Sequence, residues 1–423
     1  MIDIIFQKSK QKLFKETIWS FLSKGSTFVL FFAINIVLAR GLGVDDFGTW
    51  SYFLSIITIV FTLSYFGINS SITKFLAEHN KTDNLRAVIR DGFKARILFS
   101  MGFVILFGLS SKFIADVLQR PEFFSLFLYS LPLIFLSGMV EFLKDVFIGL
   151  HRAKFNFVIN LTEYGTKLLL LLGLFVYRNN ITGIIGVYTV ALLLAAIIGV
   201  CIVYRSFYRS ESVSQNQYFK QIIQYSYPLF FVSLGFLLMT EIDTVMLGSL
   251  TTDAEVGIYA IAKQITTKMP HIAIAFSMGT MPIFAKLTTG NKTDLQAKFS
   301  KLLKINATIF GTFTLVILLS AQWFIPLIFG SEYSQAAPVL KVLSVYMVCY
   351  SFSIFLSKFL DYRGLAKKRA WNLSVTMILN IILNLILIPR YGAMGAAIGT
   401  TLSYLPYIVL NALEVHKEFH DLE

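Results

Sequence analysis

Twelve apolar runs constrain this chain more than any other feature. They cover residues 16–39, 49–68, 95–114, 124–148, 155–177, 182–204, 222–247, 257–284, 302–321, 336–357, 371–389 and 392–413, with short polar gaps between them. About 20 apolar residues in a helix cross the hydrocarbon core of a bilayer. Within that core each backbone N–H and C=O must be bonded inside the protein, and a helix does this within a single run. The expected fold is therefore an all-α polytopic membrane protein with twelve transmembrane helices. Composition agrees: 14% of the residues are charged, against about 25% in soluble domains.

The net charge of +13 would suit a nucleic-acid partner, but the charge follows the loops instead. Lys and Arg fill alternate gaps: Lys8 to Lys15, Lys81 to Arg96, Arg152 and Lys154, Arg205 to Lys220, Lys286 to Lys301, and Arg363 to Arg369. The gaps between hold little beyond Arg40, Lys112, Arg120, Arg178 and Arg390. Positive charge collects on the cytoplasmic side of a membrane protein. Both termini are thus expected in the cytoplasm, the protein in the cytoplasmic (inner) membrane, and no nucleic acid among its partners. Residues 2–15 mix Ile and Phe with Lys, the pattern of a short helix on the membrane surface. The run after Lys15 is too long for the apolar part of a cleavable signal. Cys201 and Cys349 both lie in apolar runs and are expected to be packed small hydrophobes.

An offset of 209 residues superimposes Gly48, Gly102, Gly183 and Gly186 on Gly257, Gly311, Gly392 and Gly395. The chain then divides into an N-terminal six-helix lobe, 1–214, and a C-terminal one, 215–423. Six spans is an even number, so the second copy starts on the same side as the first. The repeats are parallel, about an axis along the membrane normal, and in transporters built this way the site lies where the repeats meet.

Polar residues inside spans are costly and face a partner or water. Gln264, Lys268 and His271 follow i, i+4, i+7 and share one helix face with Lys263 and Thr267. Lys268 is deep in its span, facing either an aqueous cleft or a structural ion-pair partner. Pro270 is expected to kink that helix. Span 1 has a stripe of Ser20, Lys24, Thr27 and Asn35; under the offset Lys24 falls on Ser233 and Asn35 on Thr244, within a second stripe of Ser226, Ser233, Thr240 and Thr244. Such a stripe is either a packing seam of small residues or the wall of a wet cavity. Asp243 and Glu241 lie near the outer end of span 7, as boundary carboxylates or, at Asp243, a cation or proton site. Glu163 and Lys167 stand in the favourable i, i+4 order for a helix pair, and Glu163 is a second carboxylate that could couple to an ion. Glu141, Lys144 and Asp145 are expected to be solvated residues at the cytoplasmic end of span 4.

No Walker-type nucleotide loop and no pair of His at metal-ligand spacing occur, and no nucleophile elbow. The chain is expected to be a carrier and not an enzyme, without metal or cofactor, coupled to protons, sodium or the membrane potential.

Several segments resemble one family. LARGLGVDDFGTWSYFLSI (Leu38–Ile56) is similar to the first-loop signature of the Wzx-type polysaccharide and oligosaccharide flippases, within the multidrug/oligosaccharidyl-lipid/polysaccharide exporter superfamily. YPLFF (Tyr227–Phe231), IDTVMLGSLTTDAEVGIYAIAK (Ile242–Lys263) and MPIFAKL (Met281–Leu287) resemble its seventh and eighth helices. FGSEYSQAAPVLKVLS (Phe329–Ser344) and NIILNLILIPRYGAMGAAIGTTLS (Asn380–Ser403) resemble its tenth to twelfth. The resemblance implies a MATE-like pair of six-helix lobes that alternate between openings on the two faces. It implies a polyprenyl-diphosphate-linked oligosaccharide as cargo, flipped outward for surface polymers such as O-antigen or exopolysaccharide. Membrane lipids, a polysaccharide polymerase and glycosyltransferases are the implied partners. It implies a cationic central cavity, for which Lys24, Lys263, Lys268 and, more weakly, Arg40 are the candidates, with Asn35, Gln264 and His271 beside them. Fixed cations of this kind pair with diphosphate oxygens. Lys263 and Lys268 fall on Leu54 and Ile59 of the first copy, an asymmetry suited to a charged headgroup. Drug exporters of the same superfamily, which carry cations and present acids, are the alternative that Asp243 and Glu163 keep open.

Overall fold

A computed structural model describes residues 2–79, 84–177, 180–207, 218–270 and 292–420. The first part of the chain forms α1 (Ile2–Tyr65), α2 (Ile68–His79), α3 (Leu85–Val117), α4 (Phe123–Tyr129), α5 (Leu131–Gly149), α6 (Ala153–Tyr177) and α7 (Ile181–Phe207). The second forms α8 (Phe219–Leu250), α9 (Asp253–Lys268), α10 (Lys292–Phe329), α11 (Ala336–Tyr362) and α12 (Ala366–His420), with a short 3-10 turn at Ser331–Tyr333.

Two of these helices are double. Gly43, at φ 78° and ψ 174°, breaks α1, and Gly392, at φ 53° and ψ −130°, breaks α12. Positive φ is open to glycine at little steric cost. In the second copy Thr252 stands where Gly43 stands in the first, and it is extended, at φ −86° and ψ 160°, between α8 and α9. The 209 offset therefore aligns two helix breaks as well as glycines.

Among the described residues eight helices are long and apolar enough to cross a membrane. The two longest, of 51 and 53 residues, contain the breaks at Gly43 and Gly392, and each carries two of the expected spans. The helices α4 and α5, bent by 45°, together supply a further one. The expected span 257–284 begins on α9, and its part beyond residue 270 lies outside the described residues. Large apolar side chains stand exposed along these helices, Leu109 at 81% and Trp323 at 78%. In water such surfaces would mark a binding site or aggregate; lipid tails are as apolar as leucine and cover them at no cost.

The chain divides into two compact units: residues 1–42 with 53–237, and residues 43–52 with 238–423. In the first, Phe53, Phe107, Phe123 and Phe127 form an aromatic core, with Phe53 and Phe127 stacked at 5.8 Å. In the second, Phe299, Phe359 and Phe419 cluster near the chain's end, and Phe47 meets Tyr333 edge-on at 6.0 Å.

Within the second unit the stretch after Gly43 crosses α9 at Gly48 and Gly257. A methyl group at Gly48 would strike the Asp253 carbonyl oxygen, and one at Gly257 the Val44 carbonyl oxygen. Val44 and Asp253 are themselves 209 positions apart. The contact is thus the same from either side, as a two-fold axis through the crossing requires.

Candidate functional site

Asp243 is the most deeply placed carboxylate of the second unit, 2% exposed. It lies on α8 and accepts three hydrogen bonds. Asn384 Nδ2 donates from the first half of α12 at 2.8 Å, Thr400 Oγ1 from its second half at 2.7 Å, and the Tyr259 hydroxyl from α9 at 3.0 Å. These partners are all neutral. Among the described residues its hydrogen bonds thus come from side-chain dipoles and not from a cation.

On either side of it along α8, Glu241 and Thr244 hold Lys263 of α9. The ammonium donates to Glu241 Oε2 at 3.0 Å and to Thr244 Oγ1 at 2.8 Å. Lys263 was expected as a cation lining a cavity; the structure gives it an anionic partner because α8 and α9 are joined by a tight turn and their polar faces meet. Gln264 and Lys268 are half-buried on α9. The helix ends at Lys268, which places this lysine in a last turn, where helix carbonyls favour a cation. Pro270 stands two residues beyond that end. His271 lies outside the described residues.

In the first unit Lys24 is exposed on α1, and Arg40 is exposed on the same helix shortly before the break at Gly43. Asn35 is buried, and its amide donates to the Phe31 carbonyl of its own helix at 2.8 Å. Glu163, on α6, is 4% exposed and receives Lys167 Nζ at 2.6 Å and Lys144 Nζ of α5 at 2.8 Å. Lys144 also reaches Glu141 at 2.7 Å. The Lys167 ammonium lies over the rings of Tyr164 and Tyr188, at 5.0 and 4.7 Å.

This cluster corrects one expectation. Lys144 is not a solvated end residue: it is 7% exposed, because α5 continues to Gly149 and carries it against α6. Asp145 is half-buried and accepts the Asn69 amide at 2.8 Å. Arg96, assigned by its neighbours to a basic loop, is fully buried. It donates to the carbonyl and hydroxyl of Ser64 at 3.1 and 3.2 Å, at the end of α1, with its guanidinium 4.7 Å from the Tyr65 ring. A guanidinium suits a helix C-terminus. Residue spacing along one run could not reveal these pairings between runs.

A family model described as polysaccharide biosynthesis protein matches residues 13–288, and a MatE model matches residues 228–386. An uncharacterized membrane protein of Methanocaldococcus jannaschii is 24% identical, over 93% of this chain and 94% of its own. A Haloferax volcanii protein named probable low-salt glycan biosynthesis flippase is 26% identical, over 46% of this chain and 41% of its own. Among solved structures, an inward-facing multidrug resistance MATE transporter of the MOP superfamily superimposes with a TM-score of 0.78 at 14% identity, covering 94% of this chain and 95% of that one. The lipid II flippase MurJ, inward closed, gives 0.73 at 14% identity, covering 96% and 89%. At that identity the likeness concerns the fold.

Proposed function

From the chain's membership in the polysaccharide biosynthesis protein family, whose model spans residues 13–288, we propose a flippase that carries a polyprenyl-diphosphate-linked oligosaccharide outward across the cytoplasmic membrane. Movement is by alternating access, with both termini in the cytoplasm. The observation that carries this reading is that family match, and the flippase named among the relatives supports it. Transport by a protein of the MOP superfamily is the coarser statement, and it holds for either kind of cargo.

Lys24 on α1 and Lys268 at the end of α9, with Arg40, Asn35, Gln264 and His271, are the proposed contacts to diphosphate and sugar. Fixed cations pair with phosphate oxygens through charge-assisted hydrogen bonds. Lys263, held by Glu241, is a further proposed contact and sets the local charge beside Lys268. Asp243 is the proposed coupling carboxylate. Its neutral partners let it gain and release a proton or sodium ion without breaking an ion pair. Glu163 is bound by two lysines, which suits it less to that role.

The test is flipping of a fluorescent polyprenyl-diphosphate oligosaccharide by the protein in proteoliposomes. Lys24→Ala and Lys268→Ala should each slow it while the protein stays folded. Full activity in both folded variants refutes the cationic contacts. A cation-coupled drug exporter is the second reading, favoured by the MatE match over residues 228–386; it requires uptake of a cationic dye instead.

A further inference from the structure

We propose that a buried polar seam inside α12 is a path along which a proton or sodium ion passes between Asp243 and the Lys/Arg-rich end of the second unit. The proposal rests on the reading of Asp243 as the coupling carboxylate.

The two halves of α12 fold back on one another at Gly392. Asn372 Nδ2 donates to Asn411 Oδ1 at 3.0 Å, and Asn380 Nδ2 to Ser403 Oγ at 3.3 Å. These pairs share one antiparallel register. The same register sets Asn384 against Gly399, where an added methyl group would strike Asn384 Oδ1, and Thr376 against Tyr407. Every fourth residue of the first half is therefore polar over about 18 Å of helix, and each faces a polar residue or a glycine. None of the four is more than 8% exposed.

The seam has two distinct ends. Inward, Asn384 Nδ2 bonds both Asp243 at 2.8 Å and Asn380 at 3.1 Å. Outward, the next layer beyond Asn372 is the ion pair Lys368–Glu414, 2.8 Å apart and 54% and 20% exposed. Between them, hydroxyls continue the polar lining: Tyr407 meets Ser357 at 3.1 Å, and Tyr404 meets Ser353 at 3.3 Å.

Packing accounts for part of this, since Asn, like Ser and Thr, hydrogen-bonds across membrane helices, as Asn372 and Asn380 do here. A seam made only to join helices would also satisfy its own atoms. Here, among the described residues, two buried atoms have no protein partner, Asn384 Oδ1 and Asn411 Nδ2, one near each end. A carbonyl oxygen beside a carboxylate is a ligand for a hard cation, and a lone amide donor suits water.

The test uses the full chain in sealed proteoliposomes, with Cys201 and Cys349 replaced by Ala and single cysteines introduced. Thr376→Cys and Asn380→Cys should react with a small, positively charged thiosulfonate added on the Lys/Arg-rich side. At fixed pH, which keeps the thiolate fraction constant, raised sodium should slow the reaction if sodium is the ion and leave it unchanged if the ion is a proton. Ile378→Cys, on the exposed face, should not react. Seam cysteines as inert as Ile378→Cys overturn the proposal. A transport measurement separates it from its premise. Asp243→Asn should abolish ion dependence, and the near-isosteric Thr376→Val should slow ion-dependent transport several-fold at an unchanged melting temperature. If Asp243→Asn leaves ion dependence intact, the premise fails and the seam with it. If only Thr376→Val behaves as wild type, the seam alone fails.

Discussion

At the scale of single residues, the buried ions decide how much can be changed. Glu163 holds two buried lysines. Removing one member of a buried ionic group leaves an uncompensated charge and costs about 3–5 kcal/mol. Glu163→Gln should therefore lower the melting temperature of the solubilised protein sharply, and an unchanged transition would show the lysines to be otherwise satisfied. Lys263→Ala should destabilise by stranding Glu241, and Glu241→Gln in the same chain should restore part of the loss. The pair is structural only if that rescue appears. Half of the Glu163 cluster was legible in the sequence, because Lys167 follows at i+4. Lys144 was not, because its pairing crosses from α5 to α6. The same limit hid the environment of Asp243: its partners Asn384 and Thr400 are 141 and 157 positions away.

At the scale of elements, the matched glycines have different causes. Gly48 and Gly257 are the close-approach points of one helix crossing, and Gly392 breaks α12 where Gly183 sits at the start of α7. Gly102 and Gly311 have nothing within 4 Å of an added methyl group. Gly48→Ala and Gly257→Ala should each cost about 1–3 kcal/mol by overpacking, whereas Gly102→Ala and Gly311→Ala should be neutral or slightly stabilising in the same thermal melt. Equal losses at all four positions would contradict the crossing. The apolar runs made the helices legible, since length and hydropathy suffice for that. The breaks were less so: the residues around Gly43 read as a polar gap, while the helix runs on from both sides of a single left-handed residue.

At the scale of the whole molecule, the alternation of Lys and Arg among the gaps predicts an orientation with both termini in the cytoplasm. A reporter fused to the C-terminus should be active on the cytoplasmic side, and activity on the outer side would reverse the proposed direction of transport. The proposed cargo rests on the resemblance of dispersed segments and on the family match, because no spacing of charges in one run specifies a sugar. The most direct measurement is therefore a paired transport assay on one preparation of proteoliposomes. A polyprenyl-diphosphate oligosaccharide should become accessible on the opposite leaflet at a rate above that of protein-free vesicles, while a cationic dye should show no protein-dependent movement. Dye movement without flipping of the lipid-linked oligosaccharide would contradict the account.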